Sequence, residues 1–556
     1  MKRSAILWMG AAALVVALLA GGCGGSSKKN KSSSGSTAGA KGGTLITRAN
    51  AAPAGSPDPQ VNYTLQEWQF LLITHDGLVA FKRVGGHEGT KLVPDLATSI
   101  PKPTNNGKVW KFTLRSGIKF SNGKTLTGND VKATFERLFK IGNSPNAGSW
   151  YNAIQGGDAC VKTPKTCDLS EGVQVNGNTV TFRLARGNPE FLDQLAMPFT
   201  YILPADTPVK NLNIPPAGTG PYKWVEYSPQ KQMRIVRNPY FKEWSKDAQP
   251  EGLPDEIVQK FGLSVEAEVT QVENGTTDWI ANADSIPSDR LNEISTKYPK
   301  QVHINPLVAT WYFAFNTRIP PFNNLKARQA VNYATDRKAL IKIYGGPQLA
   351  VPTCQVLPPN FPGYQPYCPY TIDPRPGATW TGPDLVTARK LVAASGTAGM
   401  KVVVGPLSPR LTPVAEYIQS VLKDLGYDAG LEVAEKGSDV FKAIFVDKRV
   451  EVGGFEFNAD FPAPDTFLGQ FACGREDDPT FVCDEKLDAA IKAAESAGAS
   501  DPAAANQQWA EVDRMVTDLA LWAPMLNEGS DFVSSRLGNY QFNVAIGFLA
   551  DQAWVQ

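Results

Sequence analysis

Apolar positions recur along the chain with two periods, and each period predicts its own elements. Residues 42–50 (GGTLITRAN) read as a strand, with a turn signal behind it at Ser56-Pro57-Asp58-Pro59. In 109–115 (VWKFTLR), Trp110, Phe112 and Leu114 fall on one strand face. Over 128–140 the period changes. Val131, Phe135, Leu138 and Phe139 share a helix face, and Thr127 with Asp130 forms an N-cap pair ahead of it. Residues 172–185 predict a hairpin turning at Asn176-Gly177-Asn178. Beyond residue 325 helical spacing dominates, over 325–344, 384–395 and 410–425, the last stopped by Gly426. Strands at 400–405, 431–435 and 450–457 alternate with these helices, which predicts an α/β layer on a mostly parallel sheet. Between them, 347–383 holds ten prolines and the Cys354/Cys368 pair, the pattern of a long ordered loop pinned by a disulfide.

The N-terminus has a different character. Lys2 and Arg3 precede an apolar run from Ala11 to Ala20, then Gly21, Gly22 and Cys23. This is the layout of an export signal over residues 1–22, too short for a good membrane span. The small residues before Cys23 resemble a bacterial lipobox, which implies lipidation of Cys23; the alternative is ordinary cleavage that leaves a thiol. Residues 24–43 contain no apolar side chain larger than alanine and cannot bury a core. Twenty such residues span about 25 Å on average and about 65 Å fully stretched, so 23–41 is expected to be a tether. Of the seven cysteines, six remain after Cys23. Cys160–Cys167, Cys354–Cys368 and Cys473–Cys483 are the economical pairing, which implies an oxidising, extracytoplasmic compartment.

Composition narrows the classes further. At ~150 residues per domain, 556 residues predict two to four domains. Lys plus Arg is 55 against 54 for Asp plus Glu, so no net field draws nucleic acid. Three histidines, His75, His87 and His303, are too few and too scattered for a histidine metal site or a triad. Gly123-Lys124-Thr125 lacks the spacing of a phosphate-binding loop, and Asn122-Gly123 fits a hairpin turn better. Ser116 and Lys119 satisfy SxxK, but no SDN or KTG follows, and GxSxG and HExxH are absent. A catalytic set, a metal and a cofactor are therefore not expected. A secreted hydrolase is the disfavoured class.

At 92–138, LVPDLATSIP followed by GKVWKFTLRSGIKFSNGKTLTGNDVKATFERL closely resembles the signature of solute-binding protein family 5. These are extracytoplasmic receptors of ATP-binding-cassette (ABC) importers. PAGTGPY (216–222), VRNPYF (236–241), FAFNTRIPPFNN (313–324), RQAVNYATDRKAL (328–340), LPPNFPGY (357–364) and NADFPAPDTFL (458–468) continue it in the family's order. The resemblance implies an α/β fold of the type II periplasmic-binding-protein kind, two lobes with a hinge plus an extra small domain. By that analogy 42–90, 203–305 and 520–556 form lobe I, 91–202 the small domain and 306–519 lobe II. The expected partners are a short peptide or other small solute, a permease with its ATPase subunits, and a membrane through the lipid anchor. The chain is expected to be a monomer on the extracytoplasmic face.

The resemblance also points to ligand contacts. Asp460, in Phe457-Asn458-Ala459-Asp460, stands where oligopeptide-binding relatives carry an aspartate that pairs with the peptide ammonium. The alternative is that Asp460 caps the turn that follows. The strand from Gly453 to Ala459 could add a peptide through main-chain bonds. Trp150, Tyr151 and Trp311 are candidate aromatic walls, with burial as plain core the alternative for each. Cys473–Cys483 resembles a disulfide of some dipeptide-binding members. A sugar oligomer, an opine or a metal chelate remains an alternative ligand, and a chaperone or sensor on the same fold an alternative role.

Overall fold

A computed structural model describes residues 41–556 apart from 54, 282–285, 347–349, 360, 376, 378, 407–411, 433–442, 444–449, 476–477 and 499–500. The export signal, Cys23 and all of the tether but Lys41 lie outside the described residues. Two five-stranded sheets organise the rest. In the first, Thr44–Ala49 runs parallel to both Trp279–Ile280 and Glu256–Phe261. Gln232–Arg237 and Tyr222–Ser228 then extend it antiparallel. Alternation is the cause in the opening strand: Leu45, Thr47 and Ala49 are fully buried and the residues between them face outward.

The second sheet has the order Asp428–Leu431, Lys401–Pro406, Val452–Asn458, Val302–Phe315, Trp522–Phe532. Its first three strands are parallel, and the Thr412–Asp424 helix joins Lys401–Pro406 to Asp428–Leu431, the α/β layer expected from residues 400–457. A third, three-stranded antiparallel sheet is formed by Val109–Thr113, Thr179–Arg183 and Val173–Asn176. The Gly128–Lys140 helix packs on it through Val131, Phe135, Leu138 and Phe139, all 2 % exposed or less. Each such side chain taken from water contributes roughly 1.5–3 kcal/mol. Asp130 closes the capping box by accepting from the backbone N–H and the hydroxyl of Thr127 at 2.8 and 2.7 Å.

The expected helix 325–344 is two helices, Leu325–Ala334 and Arg337–Tyr344. Thr335 and Asp336 between them are extended, and the Asp336 carboxylate accepts from the N–H groups of Lys338 and Ala339. Capping there starts a new helix axis. It sends the fully buried Arg337 to the carbonyls of Thr353 and Pro524. The strand expected at 431–435 is found earlier, at Asp428–Leu431, and residues 433–435 lie outside the described residues. The three disulfides are formed as paired, with Cα separations of 4.4, 4.9 and 4.6 Å.

Two long strands join the halves. Val302 and Phe532 pack with Val269, Ile280 and Ile294 beside the first sheet. Trp311, Phe313 and Phe315, with Ala523 and Met525, lie in the core of the second. The pairing of these strands slips between Pro306 and Trp311, so the ribbon is irregular where it passes from one lobe to the other. Ala523, Met525 and Leu526 pack with Trp311, Phe313 and Phe315, while Val533, Ile546, Phe548 and Ala553 pack with the core of the first sheet.

Candidate functional site

A cavity of about 480 Å³ opens where residues 149–153 and 186–194 face residues 457–475 of the second lobe. That volume is in the range of small-ligand sites. The strand Val452–Asn458 supplies one wall. Its last residues, Phe457 and Asn458, stay in register with Thr310 and Ala309, and the Ala459 N–H donates to the Val308 carbonyl at 2.8 Å. Lys401–Pro406 flanks this strand only at Val452, Gly453 and Gly454, so Gly453 and Gly454 already have a strand on both sides. A peptide added as an extra strand would have to lie beyond them, toward Asn458.

Asp460 follows that strand into the cavity and is half-buried. The Tyr63 hydroxyl lies 2.8 Å from each of its carboxylate oxygens. Burial pushes the Asp460 carboxyl above the usual range, and the Tyr63 hydrogen bond partly restores the ionised form. Tyr63 is raised in turn by burial and by the Asp460 charge. A desolvated carboxylate met by one neutral donor favours an approaching cation.

Trp150 lines the same cavity and meets Phe461 of the second lobe edge-on, ring centres 5.3 Å apart. Behind it stand Phe199, Trp68 and Tyr63 in mutual ring contact. Phe457, Asn458, Ala459, Asp460 and Trp150 are thus brought together, and Tyr151 and Trp311 are not. Tyr151 is fully buried one layer behind Trp150, its hydroxyl donating to the Gln194 carbonyl at 2.8 Å. Trp311 is 4 % exposed in the lobe II core against Tyr344. Both take the core role that was their alternative reading.

Sequence reasoning missed Tyr63, Arg186, Glu190, Phe461, Asp465 and Arg475. All but Tyr63 line the cavity. The Arg186 guanidinium donates to Asn152 Oδ1 at 2.7 Å. Burial, followed by the negative charge of Asp465 across the cleft, raises the Glu190 carboxyl well above its ordinary range. Asp465 is pushed up to about 7 by burial and by Glu495, against the pull of Arg475. Phe461 and Asp465 fall inside the NADFPAPDTFL stretch, the one available signal; the others sit in unpatterned loops. Among the described residues no group of three His, Cys, Asp or Glu side chains is placed to hold a metal, and no helix is long and apolar enough to cross a membrane.

Comparison with known proteins agrees with this architecture. The family of bacterial extracellular solute-binding proteins, family 5 (middle region), matches residues 91–478. A probable di/tripeptide-binding protein 5 of Pseudomonas aeruginosa (strain UCBPP-PA14) is 25 % identical over 515 residues, covering 87 % of this chain and 90 % of that one. Among solved structures, clavulanic acid biosynthesis oligopeptide binding protein 2 superposes with a TM-score of 0.78 at 22 % identity, covering 93 % of this chain and 96 % of that one. The periplasmic binding protein DppA of Helicobacter pylori, in complex with the peptide STSA, superposes with a TM-score of 0.66 at 21 % identity, covering 93 % and 98 %. With the family match spanning well over half its length, the chain belongs to the bacterial extracellular solute-binding proteins of family 5.

Proposed function

We propose that this protein captures short peptides between its lobes and delivers them to the permease of an ABC importer. The observation that carries the reading is Asp460, a half-buried carboxylate at the end of a fixed strand, facing an aromatic wall and answered among the described residues only by the neutral Tyr63 hydroxyl. A peptide ammonium supplies the charge that Tyr63 lacks, and a ligand carboxylate can reach Arg186 on the same wall. The names of a di/tripeptide-binding relative and of a peptide-bound structural neighbour support a peptide ligand. A ligand that touches both lobes has its full contacts only when they meet, so binding shifts the population toward closure about the 302–315 and 522–532 ribbon. No covalent step is required.

In this reading lobe I takes 42–90 and 203–305 with the C-terminal stretch, the small domain takes 91–202, and lobe II follows residue 306. The protein works as a monomer, held at the extracytoplasmic face by lipid on Cys23, which the mass of its N-terminal fragment checks. The function is tested by calorimetry with a free-amine tripeptide and its N-acetylated form. Tight binding of the first and a loss of about 2 kcal/mol or more for the second is expected. Equal binding would remove Asp460 as the anchor.

A further inference from the structure

The cavity at Asp460 has a neighbour. A second cavity of about 250 Å³ lies beyond Pro189, Glu190 and Asp465, which line both. Much of its remaining wall is apolar, with Leu92, Leu192, Pro464 and Trp509, and Asp193 adds another carboxylate. The two chambers are built from both sides of the cleft. Glu190 and Asp193 stand at the start of the Phe191–Leu195 helix, and Asp465 stands in the first turn of Pro464–Leu468.

The charge at this junction is unbalanced. Glu190 Oε1 and Asp465 Oδ1 are shut off from solvent and accept no hydrogen bond among the described residues. Asp193 and Glu495 add to the negative potential at Glu190, while Arg475 opposes it at Asp465 and Glu495. Among the described residues Arg475 acts on Asp465 and Glu495, Lys492 also acts on Glu495, and no cation acts on Glu190 or Asp193. Buried carboxylate oxygens without donors are costly, and carboxylates brought together from two lobes either repel or take up protons that an entering cation displaces. A long side chain with an apolar stem and a cationic head would satisfy both the wall and the charge.

We propose that the second cavity is the pocket for a basic side chain of the bound peptide, its stem against Leu192, Pro464 and Trp509 and its cationic head among Glu190, Asp193 and Asp465. The inference rests on the peptide reading above and adds the substrate class: peptides carrying lysine or arginine. The cation gives Glu190 Oε1 and Asp465 Oδ1 the partner they lack among the described residues, so a basic peptide is the one that best holds the lobes together.

The test is calorimetry on the full chain at pH 7.5, with trialanine analogues carrying lysine, norleucine or Nε-acetyl-lysine at the first, second or third position. At one position lysine should bind about tenfold tighter or more than norleucine and acetyl-lysine, the scale of a buried charge pair. Glu190→Gln with Asp465→Asn should bring the three within about twofold of one another, whatever the change in their common affinity. The ligand comparison on the unaltered protein stands even if a substituted chain folds poorly. Lysine and norleucine binding alike at all three positions would overturn the basic pocket while leaving peptide capture in place. Failure of every tripeptide to bind would overturn the peptide reading and the pocket with it.

Discussion

The role proposed for Asp460 rests on local features. Its neighbours are fixed by strand pairing, its charge is partly desolvated, and its protein partner is a neutral hydroxyl. Asp460→Ala should therefore cost about 2 kcal/mol or more of affinity for a free-amine peptide and almost nothing for an acetylated one, measured by calorimetry. A loss equal for both peptides would mean that the residue shapes the cavity instead of binding the ammonium. The place of Asp460 in the cavity was legible because it sits in a motif. Tyr63 was not, since a lone aromatic in a loop has no pattern. Trp311 could have been placed from alternation alone: Trp311, Phe313 and Phe315 are every second residue of one strand and share one core face. Gly218 and Gly220 of PAGTGPY have an equally local reason. A Cβ on Gly218 would lie 2.1 Å from the Thr74 carbonyl oxygen, and one on Gly220 would lie 2.7 Å from that of Ile73.

At the scale of elements, the helix Leu65–Leu71 carries a testable cost. Glu67 is fully buried, neither carboxylate oxygen has a hydrogen-bond partner among the described residues, and burial pushes its carboxyl up to about 8 from 4.5. Between those values the folded protein holds a proton that the unfolded chain has released, so stability falls as pH rises through that window. Asp193 and Asp513, each pushed up to about 7 by burial, act in the same direction. Urea denaturation at pH 5 and pH 8 should show wild type less stable at pH 8. Glu67→Gln should remove roughly 2–4 kcal/mol of that difference. An unchanged difference would mean that Glu67 is already paired or hydrated. Elements whose signals are local were readable from sequence: the Thr127/Asp130 capping box, the Asn176-Gly177 turn and the 400–457 α/β alternation. The break at Thr335–Asp336 was also local, an aspartate N-cap inside an otherwise helical period, and apolar spacing alone hid it.

At the scale of the whole molecule, position in sequence stops being a guide. The ribbon between the lobes pairs 302–315 with 522–532, and the first sheet joins Thr44–Ala49 to strands some two hundred residues later. No periodicity encodes such pairings, and only the family resemblance carried them. The site inherits that difficulty, since its walls come from residues near 150, near 190 and near 460. The central claim is that these walls meet around a peptide. Its most direct test is mass spectrometry of the full chain purified natively and then acid-denatured to release what it carries. A ladder of short peptides, enriched in basic residues, is the predicted result. A single non-peptide solute recovered in stoichiometric amount would contradict the account.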